Sequence, residues 1–235
     1  MKTVTLPENI LLNRRQLAKL ALFLGTTVDG FTLTAASGTV AALAEAGGGT
    51  SLLTQAADNA VASWQTQAAC LVLADNKPIH FGAMVRVAEA NTDDLNVLIG
   101  LHSGAVSSAL GNDGAGPPAS YSGFSFFKVD GSTLWSIEAS VGSSQTTVEL
   151  TAANTLTGTA YTAAQSVDQF LEIDVLPKTS TKCDVTFKIN GVAVYKLTDF
   201  VYTSIAAMLA MGVVKAGSAN AETLKTRYVE FGQVR

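Results

Sequence analysis

The stretch "CDVTFKINGVAVYKL" constrains this chain more than any other. Val185, Phe187 and Ile189 alternate with Thr186 and Lys188, and Asn190-Gly191 then supplies the pair of residues that favours a primed turn matching strand twist. The segment predicts a half-buried antiparallel hairpin. "FSFFKVDGSTLWSIEASV" repeats the signal around Asp130-Gly131. In "IHFGAMVRVAEA", Ile79, Phe81, Ala83, Val85 and Val87 share one face, and His80, Met84 and Arg86 the other. "TVAALAEAGGGTSLLT" reads as two short strands around three glycines. "LNVLIGLHSG" and "IAAMLAMGVV" read as strands buried on both faces, and "ETLKTRYVEFGQVR" as a closing strand. Beyond the first twenty or so residues no long stretch has helical spacing, so the chain reads as all-β.

Composition agrees with that reading and narrows the partners. Apolar residues make up 48% of the 235 residues and charged ones 14%, with much Ala, Val, Gly, Ser and Thr, a mixture suited to short strands and turns. A net charge of −4 without a Lys/Arg block argues against nucleic acid, because phosphate binding needs clustered cations. No apolar run reaches the ~20 residues that span a bilayer as a helix, so no membrane partner is expected. Cys70 and Cys183 stand apart and read as buried free thiols, while His80 and His102 each read as strand-face residues. With so few of either type, no metal or other cofactor is expected.

"NRRQLAKLALFLG" pairs arginines ahead of an apolar stretch, as export signals do, but that stretch is short and broken by Lys19. It reads instead as an N-terminal arm over residues 1–20, extended or a short helix from about Asn13, with Arg14, Arg15 and Lys19 on its polar side. Residues 21–235 then form one domain. Within it, "AVSSALGNDGAGPPASYSG" breaks every pattern and marks a long surface loop. Its "GNDGAG" suggests calcium without a defined ligand set.

"QFLEIDVLP" raises the question of catalysis. Glu172 and Asp174 share one strand face, and paired carboxylates are what glycoside hydrolysis uses. Leu171, Ile173 and Val175 would face the core. Glu138 and Glu149 lie on other strand patterns, and nothing in the sequence fixes their distance from Glu172. Aromatic residues are only 7% of the chain, and Trp64 and Trp135 are accounted for equally well as core packing.

The run of "FLEIDVLP", "VTFKINGVAVYKL", "AAMLAMGVVKAG" and "ETLKTRYVEFGQVR" resembles the last third of concanavalin A-like (laminin G-like) jelly-roll sandwiches, with Tyr228 and Val229 at the place of that superfamily's closing "YV". The resemblance implies an antiparallel β-sandwich with a short N-terminal arm. The superfamily's laminarinase-type hydrolases carry E-x-D-x-x-E or E-x-D-x-E. Glu172 and Asp174 match the first two places, but Leu176 and Pro177 stand where the acid/base would be, so no enzyme is expected. From Leu22 onward the chain also resembles tailed-bacteriophage virion proteins, through "LFLGTTVDGFTLTAASGTVAALAEAGGGTSLLTQAADNAVASWQTQ" and "KPIHFGAMVRVAEANTDDLNVLIGLHSG". That resemblance implies a capsid decoration (cement) protein on the outer capsid surface, made in the host cytoplasm. It would bind the major capsid protein and self-associate, as a trimer at a local symmetry axis, with Arg14, Arg15 and Lys19 as capsid contacts. The alternative is a lectin-like carbohydrate-binding module on the virion, with its glycan on the concave sheet or on the loop at 111–122. A tail or fibre component is a third reading.

Overall fold

The computed structural model describes residues 16–22, 25–36, 38–69, 71–73, 77–89, 94–142, 144–163, 165–202 and 207–234. Its strands build two antiparallel sheets. The first runs in the order β13 (Val192–Val201), β12 (Lys182–Ile189), β11 (Gln169–Thr179), β6 (Ile79–Ala88), β15 (Thr223–Val234), β4 (Thr50–Thr54) and β3 (Gly38–Ala42). The second runs β10 (Ser144–Glu149), β9 (Ser136–Gly142), β8 (Tyr121–Lys128), β7 (Leu95–His102), β14 (Leu209–Ala216), β5 (Val61–Thr66) and β2 (Phe31–Ala35). The main core lies between them, filled by inward residues such as Phe81, Ile173, Phe187, Ile99, Phe126 and Trp64. Both tryptophans belong to it, and each indole N–H is satisfied there: Trp64 donates to Thr226 Oγ1 at 2.9 Å and Trp135 to Gln169 Oε1 at 3.0 Å.

The Asn190-Gly191 turn has the predicted form, with both residues at positive φ, +52° and +78°. Asp130-Gly131 does not. Only Gly131 has a positive φ, and residues 129–135 form a longer connection between β8 and β9. Tertiary contacts claim this segment: Asn96 Oδ1 accepts the Asp130 N–H at 2.9 Å, and the Trp135 N–H bonds to the Tyr161 carbonyl at 2.9 Å.

The helical option for the N-terminal arm is corrected. Gln16–Leu22 is a strand, β1, antiparallel to β15 with Leu20 opposite Glu230. β4 pairs with β15 only at residues 223–226, so beyond them β15 has backbone groups to satisfy, and β1 supplies the partner. Lys19 lies opposite Phe231 in this register, while Asn13, Arg14 and Arg15 fall outside the described residues.

β7 is buried on both faces as expected, and the reason is the long loop that follows it. That loop folds back over the outer face of the second sheet. Its Ala109 and Leu110 pack on Leu98, Phe127, Met211 and Val213 to form a second, smaller core. Lys215 anchors it by donating to the Leu110 carbonyl and Asn112 Oδ1, and Asp113 exchanges hydrogen bonds with Asn59. The triple-glycine turn is pinned in a similar way: Arg227 donates to the carbonyls of Ala46 and Gly48 and pairs with Asp168 and Glu45.

Candidate binding face

The outer face of the first sheet is built from the polar half of each alternating strand. On β11, Leu171, Ile173 and Val175 are buried, and Phe170, Glu172 and Asp174 turn outward, half-buried. Register then sets their neighbours. Glu172 stands level with Gly82 on β6, and Gly82 with Glu230 on β15. Asp174 stands level with His80, and Glu172 with Lys188 on β12. The Asn190-Gly191 turn docks back on β11: Asn190 Oδ1 accepts the Phe170 N–H at 2.8 Å, and the Gly191 N–H donates to Glu172 Oε2 at 3.1 Å. The hairpin most legible in the sequence therefore holds one of these carboxylates in place.

Gly82 has a specific part in this face. It presents no side chain between Glu172 and Glu230, so the Phe170 ring lies across it; a Cβ at Gly82 would come within 2.7 Å of that ring. The same ring meets Tyr228 with centroids 5.5 Å apart at 43°. Two half-buried aromatic rings thus form a shelf with a carboxylate on either side.

The charges are unevenly matched. His80 sits between Asp174 (Nδ1 to Oδ1, 2.7 Å) and Glu230 (Nε2 to Oε1, 3.0 Å). Burial opposes its charged form, but the hydrogen bonds and charges of both carboxylates prevail and raise its pKa to about 9. Lys188 leans past its register partner to bond Asp174 Oδ2 at 2.5 Å. Burial pushes the Asp174 carboxyl up, yet His80 and Lys188 hold it below its ordinary range. Glu172 makes no ion pair among the described residues, and burial raises its pKa. Burial, with the charges of Glu230 and Glu172, pushes Tyr228 up to about 12.

The remaining sequence candidates lie elsewhere or lack the chemistry. Leu176 is exposed on the outer face and Pro177 is buried, so neither place after Asp174 offers an acid. Glu138 and Glu149 belong to the second sheet, across the sandwich from Glu172. Glu138 instead receives hydrogen bonds from Thr147 Oγ1 and Gln145 Nε2, and burial raises its pKa. Residues of the loop at 111–122 lie over the second sheet, where Asn112 and Asp113 already have protein partners. His102 is fully buried and stacked on Tyr121 at 4.1 Å. Cys183 is a buried free thiol, its pKa pushed up to about 12 by burial; Cys70 falls outside the described residues. No group of metal-ligating side chains occurs among the described residues.

Sequence reasoning found Glu172 and Asp174 but not their convergence with Glu230, Tyr228 and the Phe170 ring. Alternation in "TRYVEFG" puts Tyr228 and Glu230 on one face, which is the available signal. The register joining positions 82, 172 and 230 is long-range and leaves no local trace.

No protein-family model matches the chain, and no curated protein matches it in sequence. Solved structures match its fold. The endo-1,3-β-glucanase of Streptomyces sioyaensis superposes with a TM-score of 0.61 at 9% identity, covering 99% of each chain. The lectin UEA-II, solved with galactose, gives 0.59 at 11% identity over 93% of this chain and 99% of its own. The carbohydrate recognition domain of Emp47p gives 0.58 at 12% identity over 90% and 93%. The chain therefore has the concanavalin A-like jelly-roll fold of lectins and glucanases. At these identities the likeness concerns the fold alone.

Proposed function

We propose that the protein is a non-catalytic recognition domain that binds a glycan on the outer face of its first sheet, as a lectin-like module of a virion. The observation that carries this reading is the aromatic shelf of Phe170 and Tyr228 between Glu172 and Glu230. Aromatic faces stack on the apolar faces of sugar rings, and flanking carboxylates accept hydroxyl hydrogen bonds. Neighbours with the same fold include a carbohydrate recognition domain and a galactose-bound lectin, which supports the same ligand class. Catalysis is not part of the reading. Asp174 and Glu230 are both bound to His80, and no acid follows Asp174 on its strand. Glycan-array binding tests the proposal: the protein gives hits that Phe170→Ala and Tyr228→Ala abolish, and an array without hits contradicts it.

A second reading is the capsid decoration protein implied by the phage resemblance, acting by area burial on the major capsid protein. The first sheet's edge favours it, since β13 carries exposed Val192 and Val201 on an outermost strand. In that reading Arg14, Arg15 and Lys19 contact the capsid, and the protein self-associates on the head surface. Removing residues 1–20 would abolish binding to capsids lacking this protein; undiminished binding would remove the arm from the account.

A further inference from the structure

We infer that the ligand of this face is a glycan bearing a protonated amino group, with the ammonium held over the Phe170–Tyr228 shelf between Glu172 and Glu230. The inference rests on the proposed glycan reading and specifies its chemical class. Three features converge on a cation.

The first is the unequal matching of charge. Of the carboxylates on this face, Asp174 has both His80 and Lys188, and Glu230 has His80. Glu172 makes no ion pair among the described residues, although Lys188 is its direct cross-strand neighbour. Its Oε2 is held by the Gly191 N–H, which fixes the carboxylate without neutralising it. With His80 protonated, the cluster of Glu172, Asp174, Glu230, His80 and Lys188 keeps one negative charge in excess.

The second feature is an aromatic surface within the charge gap. Glu172 and Glu230 stand one strand apart on either side of Gly82, and the Phe170 ring occupies the space above that glycine. Tyr228 adjoins it at 5.5 Å. A cation over an aromatic face is attracted by the ring quadrupole, and the attraction grows when the site is partly desolvated. Carboxylates at both sides of such a ring would supply charge-assisted acceptors for the ammonium hydrogens.

The third feature is exclusion. A uronate or sialylated glycan would bring its carboxylate against Glu172 and Glu230, where like charges repel. Lys188 and His80 offer it no free cation, since both are committed to carboxylates of the protein. An N-acetylated sugar would stack on the same rings but could not use the carboxylates as a charge pair.

Calorimetric titration with glucosamine, N-acetylglucosamine and glucuronate oligosaccharides of equal length tests the assignment. The amine form should bind about tenfold or more tightly than the N-acetyl form, and the glucuronate form should not bind. Glu172→Gln should abolish the preference for the amine, bringing its affinity down to about that of the N-acetyl form. Equal affinity for amine and N-acetyl forms, or a preference for glucuronate, would overturn the inference while leaving the glycan reading standing, provided Phe170→Ala still abolishes binding. Absence of binding to all three oligosaccharides and to a broad glycan array would overturn both.

Discussion

At the scale of single residues, the two histidines have opposite roles set by their surroundings. His80 is held charged between Asp174 and Glu230, with its pKa raised from 6.5 to about 9. The native state therefore binds more protons than the unfolded chain between those values. The stabilisation from His80 is complete below pH 6.5 and is lost as pH rises towards 9. His102 is held neutral: burial is the dominant influence and lowers its pKa to about 4, and its Nδ1 accepts the Gly104 N–H as an unprotonated nitrogen. Here the unfolded chain binds more protons, so stability falls as pH drops from 6.5 towards 4. Together they predict a stability maximum near pH 6.5, measurable as urea midpoints across pH. His80→Asn should flatten the alkaline limb, removing on the order of 2 kcal/mol of pH-dependent stability after allowance for partial exposure. An unchanged alkaline limb in that variant would contradict the bridging role.

At the scale of elements, two glycines make contrasting predictions. Gly212 on β14 lies under the Trp64 indole, and a Cβ there would come within 2.4 Å of the ring. Gly212→Ala must displace a fully buried tryptophan, so thermal melting should show a loss of about 2–3 kcal/mol. Gly82→Ala meets the outer end of the half-buried Phe170 ring at 2.7 Å and the Glu230 side chain at 3.1 Å. It should cost about 1 kcal/mol or less by the same melting assay, yet tilt the shelf and weaken glycan binding as strongly as Phe170→Ala.

The elements also show what local sequence can and cannot express. Alternation identified the inward faces of β6, β11 and β12 because burial on one side leaves a period of two. Asn190-Gly191 specified its turn because both residues tolerate positive φ and its contacts with Phe170 and Glu172 leave that conformation intact. Asp130-Gly131 carried a similar signal and failed, because contacts from Asn96 and Tyr161 drew the chain into a wider connection. The arm around Lys19 was open to an extended or a short helical form, and the part of β15 beyond β4 offered hydrogen bonds that an isolated short helix could not match. Glu172 and Asp174 were legible as a pair; Glu230, nearly sixty positions later, joins them only through register.

At the scale of the whole molecule, the two outer faces differ in what they leave accessible. The second sheet is closed by its own loop through Ala109, Leu110 and Lys215, so strand residues such as Leu98 and Met211 are buried twice over. The first sheet keeps an open polar face whose charges come from strands β6, β11, β12 and β15. This asymmetry is the basis for placing recognition on the first sheet rather than on the loop at 111–122. Backbone amide shift mapping by NMR, during titration with a binding oligosaccharide, measures that placement most directly. The account predicts perturbations centred on Gly82, Phe170, Glu172 and Tyr228, with the loop at 103–120 unaffected. Shifts concentrated in that loop, or none on β6, β11 and β15, would contradict it.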